Sequence, residues 1–231
     1  MPYFYFDQYY ILLVIPALIL SIWAQYKVKS TYKNFGKVNN VRGITGAYAA
    51  QAVLSFYGIT DVRIEPIKGQ LTDHYDPKAK VIRLSEGVYA SSSVAAIGIA
   101  CHEAGHAAQH AQEYTPIKVR NSLVPVCNIG SKLGIPLALV GYFMSFEPLI
   151  YIGLILYGLI FLFHLVTLPV EFNASRRALS VIEETGLLYN DENNGAKKVL
   201  TAAAMTYVAS MIVALANLLR LVLRFTRNNR N

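Results

Sequence analysis

The chain has 231 residues, of which 54% are hydrophobic and only 15% are charged, and its mean hydropathy is +0.36. These values exclude an ordinary soluble domain and indicate that part of the chain faces lipid. The formal net charge is +7, but the Lys and Arg residues cluster beside apolar runs, which favours membrane-orientation signals over nucleic-acid binding. Two cysteines provide neither a disulfide framework nor a zinc knuckle.

Residues 1–26 are predicted to form an N-terminal membrane anchor. The apolar run covers residues 9–24, and an aromatic stretch at residues 3–6 precedes it. A run of this length with flanking aromatic residues just crosses a bilayer. A cleaved signal peptide is the alternative, but no basic segment precedes the run and no small-residue cleavage site precedes Trp23.

The charges around this first span predict its orientation. Asp7 is the only charge in front of the span, whereas five basic residues follow it: Lys27, Lys29, Lys33, Lys37 and Arg42. The positive-inside rule therefore predicts that the N-terminus lies outside and that residues 27 onward lie in the cytoplasm.

Residues 27–122 are predicted to form the catalytic region, which includes a small β patch. Apolar residues at helical spacing predict a helix over residues 45–58. Two candidate strands follow at residues 62–66 and 80–84, and the polar segment 72–77 between them predicts a turn.

Residues 88–111 are predicted to form one helix that contains the sequence His-Glu-Ala-Gly-His. His102 and His106 lie one turn apart on one face, about 6 Å along the axis, so two imidazoles converge on a single zinc ion. Glu103 beside them is placed to take a proton from a water that the metal activates. A chance match on a buried helix is the alternative, and it is rare in a chain of this length. The candidate N-caps are Ser91, Ser92 and Ser93.

Two further apolar regions, residues 124–146 and 149–168, predict a membrane hairpin over residues 123–168. Only the short segment 145–148 separates them, so the two crossings return the chain to its starting side. In the first region, Pro125, Lys132 and Pro136 weaken the prediction of a membrane span.

The last apolar helix is predicted over residues 202–223, within a C-terminal region of residues 199–231. Its end carries four arginines: Arg220, Arg224, Arg227 and Arg230. Because these arginines contradict the positive-inside rule if the helix spans, two alternatives remain: the helix crosses the membrane or lies along its surface. The predicted fold is therefore a mainly α membrane protein with a small β patch and about three or four membrane helices.

A catalytic zinc ion usually has three protein ligands, so a partner for His102 and His106 is expected. His110 shares their helix face but lies about 12 Å from His102 along the axis, too far to bind the same ion. The metzincin spacing would need a histidine at position 112 and a glycine at position 109, where the chain has Gln112 and Gln109. The metzincin class of zinc peptidases is therefore excluded.

Glu171 is the predicted third ligand, on a separate helix over residues 169–198. Pro169 and a following acid are typical of the first turn of a helix. The hairpin also returns Glu171 to the side of the zinc helix, as a shared ion requires. An acid that only complements the helix dipole is the alternative, and Glu183 and Glu184 fit a solvated face better than a metal site.

Four sequence blocks together resemble the YugP-like membrane zinc metallopeptidases of bacteria. The blocks are residues 71–77 (LTDHYDP), 82–85 (IRLS), 102–110 (HEAGHAAQH) and 171–179 (EFNASRRAL). The resemblance covers nearly the whole chain and implies a neutral, gluzincin-type zinc peptidase with His102, His106 and Glu171 as ligands. More remotely, the order of strand, zinc helix, hairpin and glutamate helix is similar to the CAAX-prenyl protease and heat-shock membrane protease group.

The chain departs from these patterns at two positions near Glu171. The remote group has an aspartate in its glutamate motif where this chain has Ser175. Members of the YugP-like family tend to carry Asp at the position of Asn173. Both departures put in question which groups orient the ligand histidines.

The predicted function is a membrane-bound, zinc-dependent endopeptidase with one zinc ion and with Glu103 as general base. Other residues near the site are candidates for stabilising the transition state or orienting the ligands: Asn173, Arg177 and His164, with Tyr189 as a further one. An extended peptide is expected to add as a strand to the segment Val81, Ile82, Arg83 and Leu84. The alternatives are a catalytically silent zinc-binding scaffold that holds a protein partner, and a membrane structural or transport protein.

The expected partners are a peptide or membrane-protein substrate and the lipid bilayer, with no nucleic acid. The expected location is a bacterial cell membrane, crossed several times, with the active site on the cytoplasmic side.

Overall fold

The computed structural model describes residues 7–228, which form two compact units. The first unit comprises the described parts of residues 1–25, 118–168 and 206–231, and the second comprises residues 26–117 and 169–205. The aromatic stretch 3–6 and Arg230 lie outside the described residues.

Four helices of the described chain are long and apolar enough to cross a membrane. A π-helical turn, Tyr10–Val14, leads into α1, Ile15–Phe35. The others are α5, Thr115–Phe143, α6, Glu147–Thr185, and α7, Asp191–Asn228. The membrane helices predicted from the sequence are thus present, and α7 has the length and composition of a span.

The hairpin of α5 and the first half of α6 is held together by close backbone approach. A Cβ at Gly130 would lie 2.6 Å from the carbonyl oxygen of Leu156, and one at Gly153 would lie 2.5 Å from that of Gly134. Glycines on both helices therefore let the two backbones pack at a distance that side chains would prevent. Pro125 and Pro136 lie inside α5 without ending it.

Three chain segments meet at one end of the first unit. The carboxylate of Asp7 accepts hydrogen bonds from Nε of Arg220 at 3.1 Å and from Nη1 of Arg224 at 2.5 Å. Leu221 packs in a small cluster with Ala138, near the tip of the α5–α6 hairpin. The start of the described chain, the hairpin tip and the end of α7 therefore lie on the same side of this unit.

The second unit is built around α4, Val94–Ala111, whose residues are almost all buried. Around it lie α2, Gly46–Phe56, α3, Glu86–Tyr89, and a three-stranded sheet of β1, Arg63–Ile67, β2, His74–Asp76, and β3, Val81–Ser85. The core of this unit combines α2, β3, α3 and α4 with residues 178–200 of α6 and α7. Small residues such as Ala49, Ala100 and Ala178 are fully buried there, so the elements pack closely.

The sheet corrects two sequence-based predictions. Its order is β1-β3-β2, with β3 parallel to β1 and antiparallel to β2. The segment predicted as a turn, residues 72–77, contains strand β2, because His74, Tyr75 and Asp76 pair with β3. The prediction that a peptide adds to β3 is therefore wrong, since both edges of β3 are already paired.

The zinc helix begins later than predicted. The segment 88–111 is not one helix: α3 ends at Tyr89, and α4 begins at Val94 with Ser93 as its N-cap. The Ser93 hydroxyl accepts a hydrogen bond from the backbone N–H of Ala96 at 3.2 Å. The backbone N–H of Val94 also donates to the carbonyl of Val38 at 2.8 Å, so the start of α4 is anchored to a preceding loop.

The helix that carries Glu171 does not start at Pro169, contrary to the prediction. Helix α6 runs continuously from Glu147 to Thr185 with Pro169 inside it. Val170 and Ala174, which follow the proline, are completely buried, so their tertiary packing outweighs the local cost of the proline to the helix.

Candidate metal centre

The two histidines of the His-Glu-Ala-Gly-His sequence lie side by side on α4. Their ring centroids are 4.7 Å apart, and the ring planes are nearly perpendicular, at 79°. The side chains of His102 and His106 are only 13% and 10% exposed. One helical turn therefore places two imidazoles together in a nearly dry environment.

A close helix crossing brings Glu171 to these histidines. A Cβ at Gly105 would lie 2.7 Å from the carbonyl oxygen of Ala174 on α6, so only glycine permits this approach. Glu171 lies one helical turn before Ser175, on the adjoining part of α6, and its side chain is 2% exposed. The glycine between the two histidines is thus required by the packing of the two helices.

The three side chains present donor atoms at separations that fit a zinc ion. Oε2 of Glu171 lies 3.3 Å from Nε2 of His102 and 3.5 Å from Nε2 of His106. One donor atom from each residue lies within 4.8 Å of the other two. Around a tetrahedral zinc with ligand distances of about 2.0–2.2 Å, neighbouring ligand atoms are about 3.4 Å apart. Both the donor chemistry and the spacing therefore suit zinc.

Gln109 orients His106 and was not identified from the sequence. Its Oε1 lies 3.0 Å from Nδ1 of His106, and its Nε2 donates to the carbonyl of Val170 at 2.8 Å and to Oδ1 of Asn173 at 3.0 Å. An amide oxygen can only accept, so His106 carries its proton on Nδ1 and turns Nε2 towards Glu171. One feature of the sequence could have identified Gln109: it is a polar residue three positions after His106 in an Ala-rich stretch.

Ser175 makes the equivalent contact with His102. Its Oγ lies 3.1 Å from Nδ1 of His102, so a hydroxyl occupies the place that an aspartate holds in the remote motif. The two histidines thus have different partners, a neutral amide and a neutral hydroxyl. Neither partner adds negative charge beyond that of Glu171 and Glu103.

Asn173 and Arg177 extend the network behind Gln109. Oδ1 of Asn173 accepts from Nε of Arg177 at 2.7 Å, and Nη1 of Arg177 donates to Oε1 of Gln112 at 2.5 Å. The guanidinium also lies over the rings of Tyr57 and Tyr114. Arg177 is therefore a fixed support for the hydrogen-bond chain that ends at His106.

The electrostatics of the cluster favour a charged carboxylate beside the histidines. Burial would lower the pKa of His106, but its hydrogen bond and charge attraction to Glu171 outweigh burial and raise the pKa, with further contributions from Glu103 and Gln109. Glu103 is 9% exposed, and its influence on His106 shows that its carboxylate acts on the same cluster.

The remaining candidate residues are not among the three clustered donors of the described chain. His164 belongs to the first unit, where its ring packs against that of Phe163. Tyr189 is half exposed and shares a turn with Glu192, whose carboxylate accepts its backbone N–H. His110 bonds through Nδ1 to the hydroxyl of Tyr75 at 2.8 Å, which ties β2 to α4 and takes no part in the three-residue cluster.

The chain is similar to known proteins along most of its length. Residues 10–226 match the family described as "Putative neutral zinc metallopeptidase". The chain is 48% identical to the "Putative membrane protease YugP" of Bacillus subtilis (strain 168) over 216 residues, which cover 94% of this chain and 96% of that protein. No solved structure matches.

Proposed function

This chain belongs to the neutral zinc metallopeptidase family, and we propose that it is a membrane-bound endopeptidase of the gluzincin type that holds one zinc ion with His102, His106 and Glu171. The observation that carries the proposal is the approach of two Nε2 atoms to Oε2 of Glu171 at 3.3 and 3.5 Å. These are the separations expected for neighbouring ligands of one zinc ion.

The residues of the site divide the chemistry between them. When bound, zinc supplies a Lewis acid that lowers the pKa of water and polarises the scissile carbonyl. Glu103 accepts the proton of the attacking water and passes it to the leaving amine. Its position next to His102 in the chain and its burial both suit a base that acts in a site sheltered from bulk water.

The partners of the histidines keep the site ready for this reaction. Gln109 and Ser175 hold the Nδ1 sides of His106 and His102, so both Nε2 atoms face Glu171. Fixed ring orientations reduce the reorganisation that metal binding and catalysis would otherwise require.

A peptide or a segment of a membrane protein is the proposed substrate. Because β3 is the central strand, the edges left in the described sheet are those of β1 and β2. The bond between Tyr75 and His110 fixes β2 to the zinc helix, which favours β2 as the strand that an extended substrate joins. Main-chain pairing of this kind gives affinity with little sequence preference.

The test is the variant Glu103→Gln, measured beside Glu184→Gln as a control for loss of one carboxylate on the protein surface. Glu103→Gln should keep one zinc per chain while peptide hydrolysis falls by about 10²–10⁴-fold, the usual contribution of a general base. Glu184→Gln should keep both zinc and activity. Undiminished hydrolysis by purified Glu103→Gln would contradict the mechanism. Stoichiometric zinc in a wild-type protein that cleaves no substrate would favour the alternative of a catalytically silent zinc-binding scaffold.

A further inference from the structure

A groove separate from the metal ligands lies between α6 and α7 in the second unit. It has a volume of about 440 Å³. Its walls combine apolar and charged side chains: Phe172, Ser175, Arg176, Leu179, Glu183, Lys197, Leu200 and Ala204. None of His102, Glu103, His106 and Glu171 lines it. The groove is therefore lined by none of the proposed metal ligands, although Ser175, which lines it, also bonds to His102.

The cations of the groove are available for a ligand. The side chains of Arg176 and Lys197 form no ion pair or hydrogen bond with the described side chains and backbone of residues 7–224, and neither does that of Glu183. Arg177, the next residue along α6, contrasts with Arg176, because its guanidinium is fully engaged with Asn173 and Gln112. Two unengaged cations and one carboxylate give the groove a net positive charge.

The same groove also exposes apolar side chains, which an apolar ligand group would remove from water. Phe172 on α6 is 40% exposed. Both walls belong to α6 and α7, helices that are long and apolar enough to span a membrane, and we place residues 170–198 of them on its cytoplasmic side. An occupant that satisfies the groove therefore needs a negative head and an apolar body, and it has to be present where membrane helices are.

We propose that this groove binds an anionic phospholipid, with its phosphate between Arg176 and Lys197 and its acyl chain along Phe172, Leu179, Leu200 and Ala204. Basic pockets between membrane helices are suited to such head groups, and each cation near a charged lipid surface strengthens binding by about fivefold. Glu183 disfavours a second negative charge on the head group, so phosphatidylglycerol fits better than a lipid with several phosphates. The proposed lipid contacts use neither the proposed metal ligands nor Glu103.

Native mass spectrometry of the full-length protein in detergent tests this binding, with titrations of phosphatidylglycerol, phosphatidylcholine and phosphatidylethanolamine. Wild-type protein should retain phosphatidylglycerol in preference to the two zwitterionic lipids. Lys197→Gln and Arg176→Gln should each weaken retention by about fivefold, and the double variant should lose the preference. Lys198→Gln is the matched control, because Lys198 carries the same charge one residue away, lies over the ring of Phe35 and does not line the groove.

Three further outcomes would overturn the proposal. Equal effects of Lys197→Gln and Lys198→Gln would show that the preference arises from overall charge. Preferential retention of phosphatidylethanolamine, lost in Glu183→Gln, would assign the groove to a zwitterionic head group. Displacement of phosphatidylglycerol by an equal concentration of glycerol 3-phosphate or of a short glutamate-rich peptide would show that the acyl chain contributes nothing.

Thr201→Trp, which fills the groove from its exposed side, should remove retention without removing a charge.

Discussion

The two compact units use close helix packing for different ends. In the first unit Gly130 and Gly153 bring α5 and α6 together, and the residues at the contact are apolar or glycine. In the second unit Gly105 brings α4 and α6 equally close, and this contact places the buried carboxylate of Glu171 beside two imidazoles. The same close approach of glycine and backbone produces an apolar helical hairpin in one unit and the proposed metal-binding cluster in the other.

The placement of polar side chains differs in the same way. In the first unit the ion pairs of Asp7 with Arg220 and Arg224 lie where the spans end. In the second unit Gln109 and Glu171 are almost completely buried, with exposed fractions of 0% and 2%. Burying polar groups costs free energy unless they are paired, so their concentration in the interior of the second unit is consistent with the metal site proposed there.

Membrane topology gives the largest, all-or-none test of this comparison. We expect residues 27–122 and 170–198 to be cytoplasmic, and the N-terminus, the hairpin tip and the end of α7 to lie outside. In a background without Cys101 and Cys127, single cysteines at Lys37 and Lys197 should resist an impermeant thiol reagent in intact cells. Single cysteines at Glu147 and Arg224 should react.

The Arg224 position decides between the two alternatives for the last helix. The contacts of Asp7 with Arg220 and Arg224 and of Leu221 near the hairpin tip favour four crossings. Asp7 also offsets part of the arginine charge that contradicts the positive-inside rule. Labelling at Lys37 but not at Glu147 would invert the topology, and labelling at Glu147 but not at Arg224 would mean that α7 does not cross.

Removal of the third ligand is the next largest effect, and it is confined to the second unit. Glu171→Gln replaces an anionic oxygen with a neutral amide in a buried site, so zinc affinity should fall by several orders of magnitude. His110→Ala, His164→Ala and Glu184→Gln should each retain one zinc ion in the same metal analysis. Full zinc and activity in Glu171→Gln, together with their loss in His164→Ala, would assign the third ligand to the first unit.

Gln109 provides a finer test of how the second unit orients its histidines. Gln109→Leu removes the acceptor for Nδ1 of His106 and should lower zinc affinity by about 10–100-fold. Gln109→Glu keeps an acceptor for Nδ1 of His106 but loses the donor to the carbonyl of Val170 and to Oδ1 of Asn173, so it should restore only part of the affinity. Gln51→Leu is the control, because Gln51 is exposed on α2 and its side chain bonds only to Ser55. Equal affinities for the wild type and Gln109→Leu would show that packing alone orients the ring.

The sequence predicted the metal-binding cluster better than the elements that support it. His102, His106 and Glu171 were selected because zinc chemistry restricts residue types and spacing, and the structure brings them together. Strand β2 was missed because His74, Tyr75 and Asp76 are polar and flanked by turn-forming residues, so that only pairing with β3 makes them a strand. Pro169 was misread as a helix start because its local preference is overridden by packing around Val170 and Ala174.

The smallest expected effect concerns the ion pairs of the first unit. Burial would raise the pKa of Asp7, but the backbone N–H of Tyr10 and the guanidinium groups of Arg224 and Arg220 lower it below its usual value. A carboxyl group whose pKa is lower in the folded than in the unfolded state contributes stability above its unfolded pKa, about 3.9. That contribution is lost as the pH falls through the folded value.

Asp7→Asn should therefore lower the stability of the detergent-solubilised protein by about 1 kcal/mol at neutral pH, and the difference from wild type should shrink as the pH falls below about 4. Thermal unfolding followed by circular dichroism measures both effects.

The double variant Arg220→Gln/Arg224→Gln supplies the comparison, because Asp7→Asn should cost nothing more in that background if these ion pairs are the cause. Zinc content should stay unchanged in all of these variants, since Asp7 and both arginines belong to the first unit and the metal cluster belongs to the second. A pH-independent loss of stability, or a loss that persists in the arginine double variant, would show that Asp7 acts through its hydrogen bond to the start of the first helix instead.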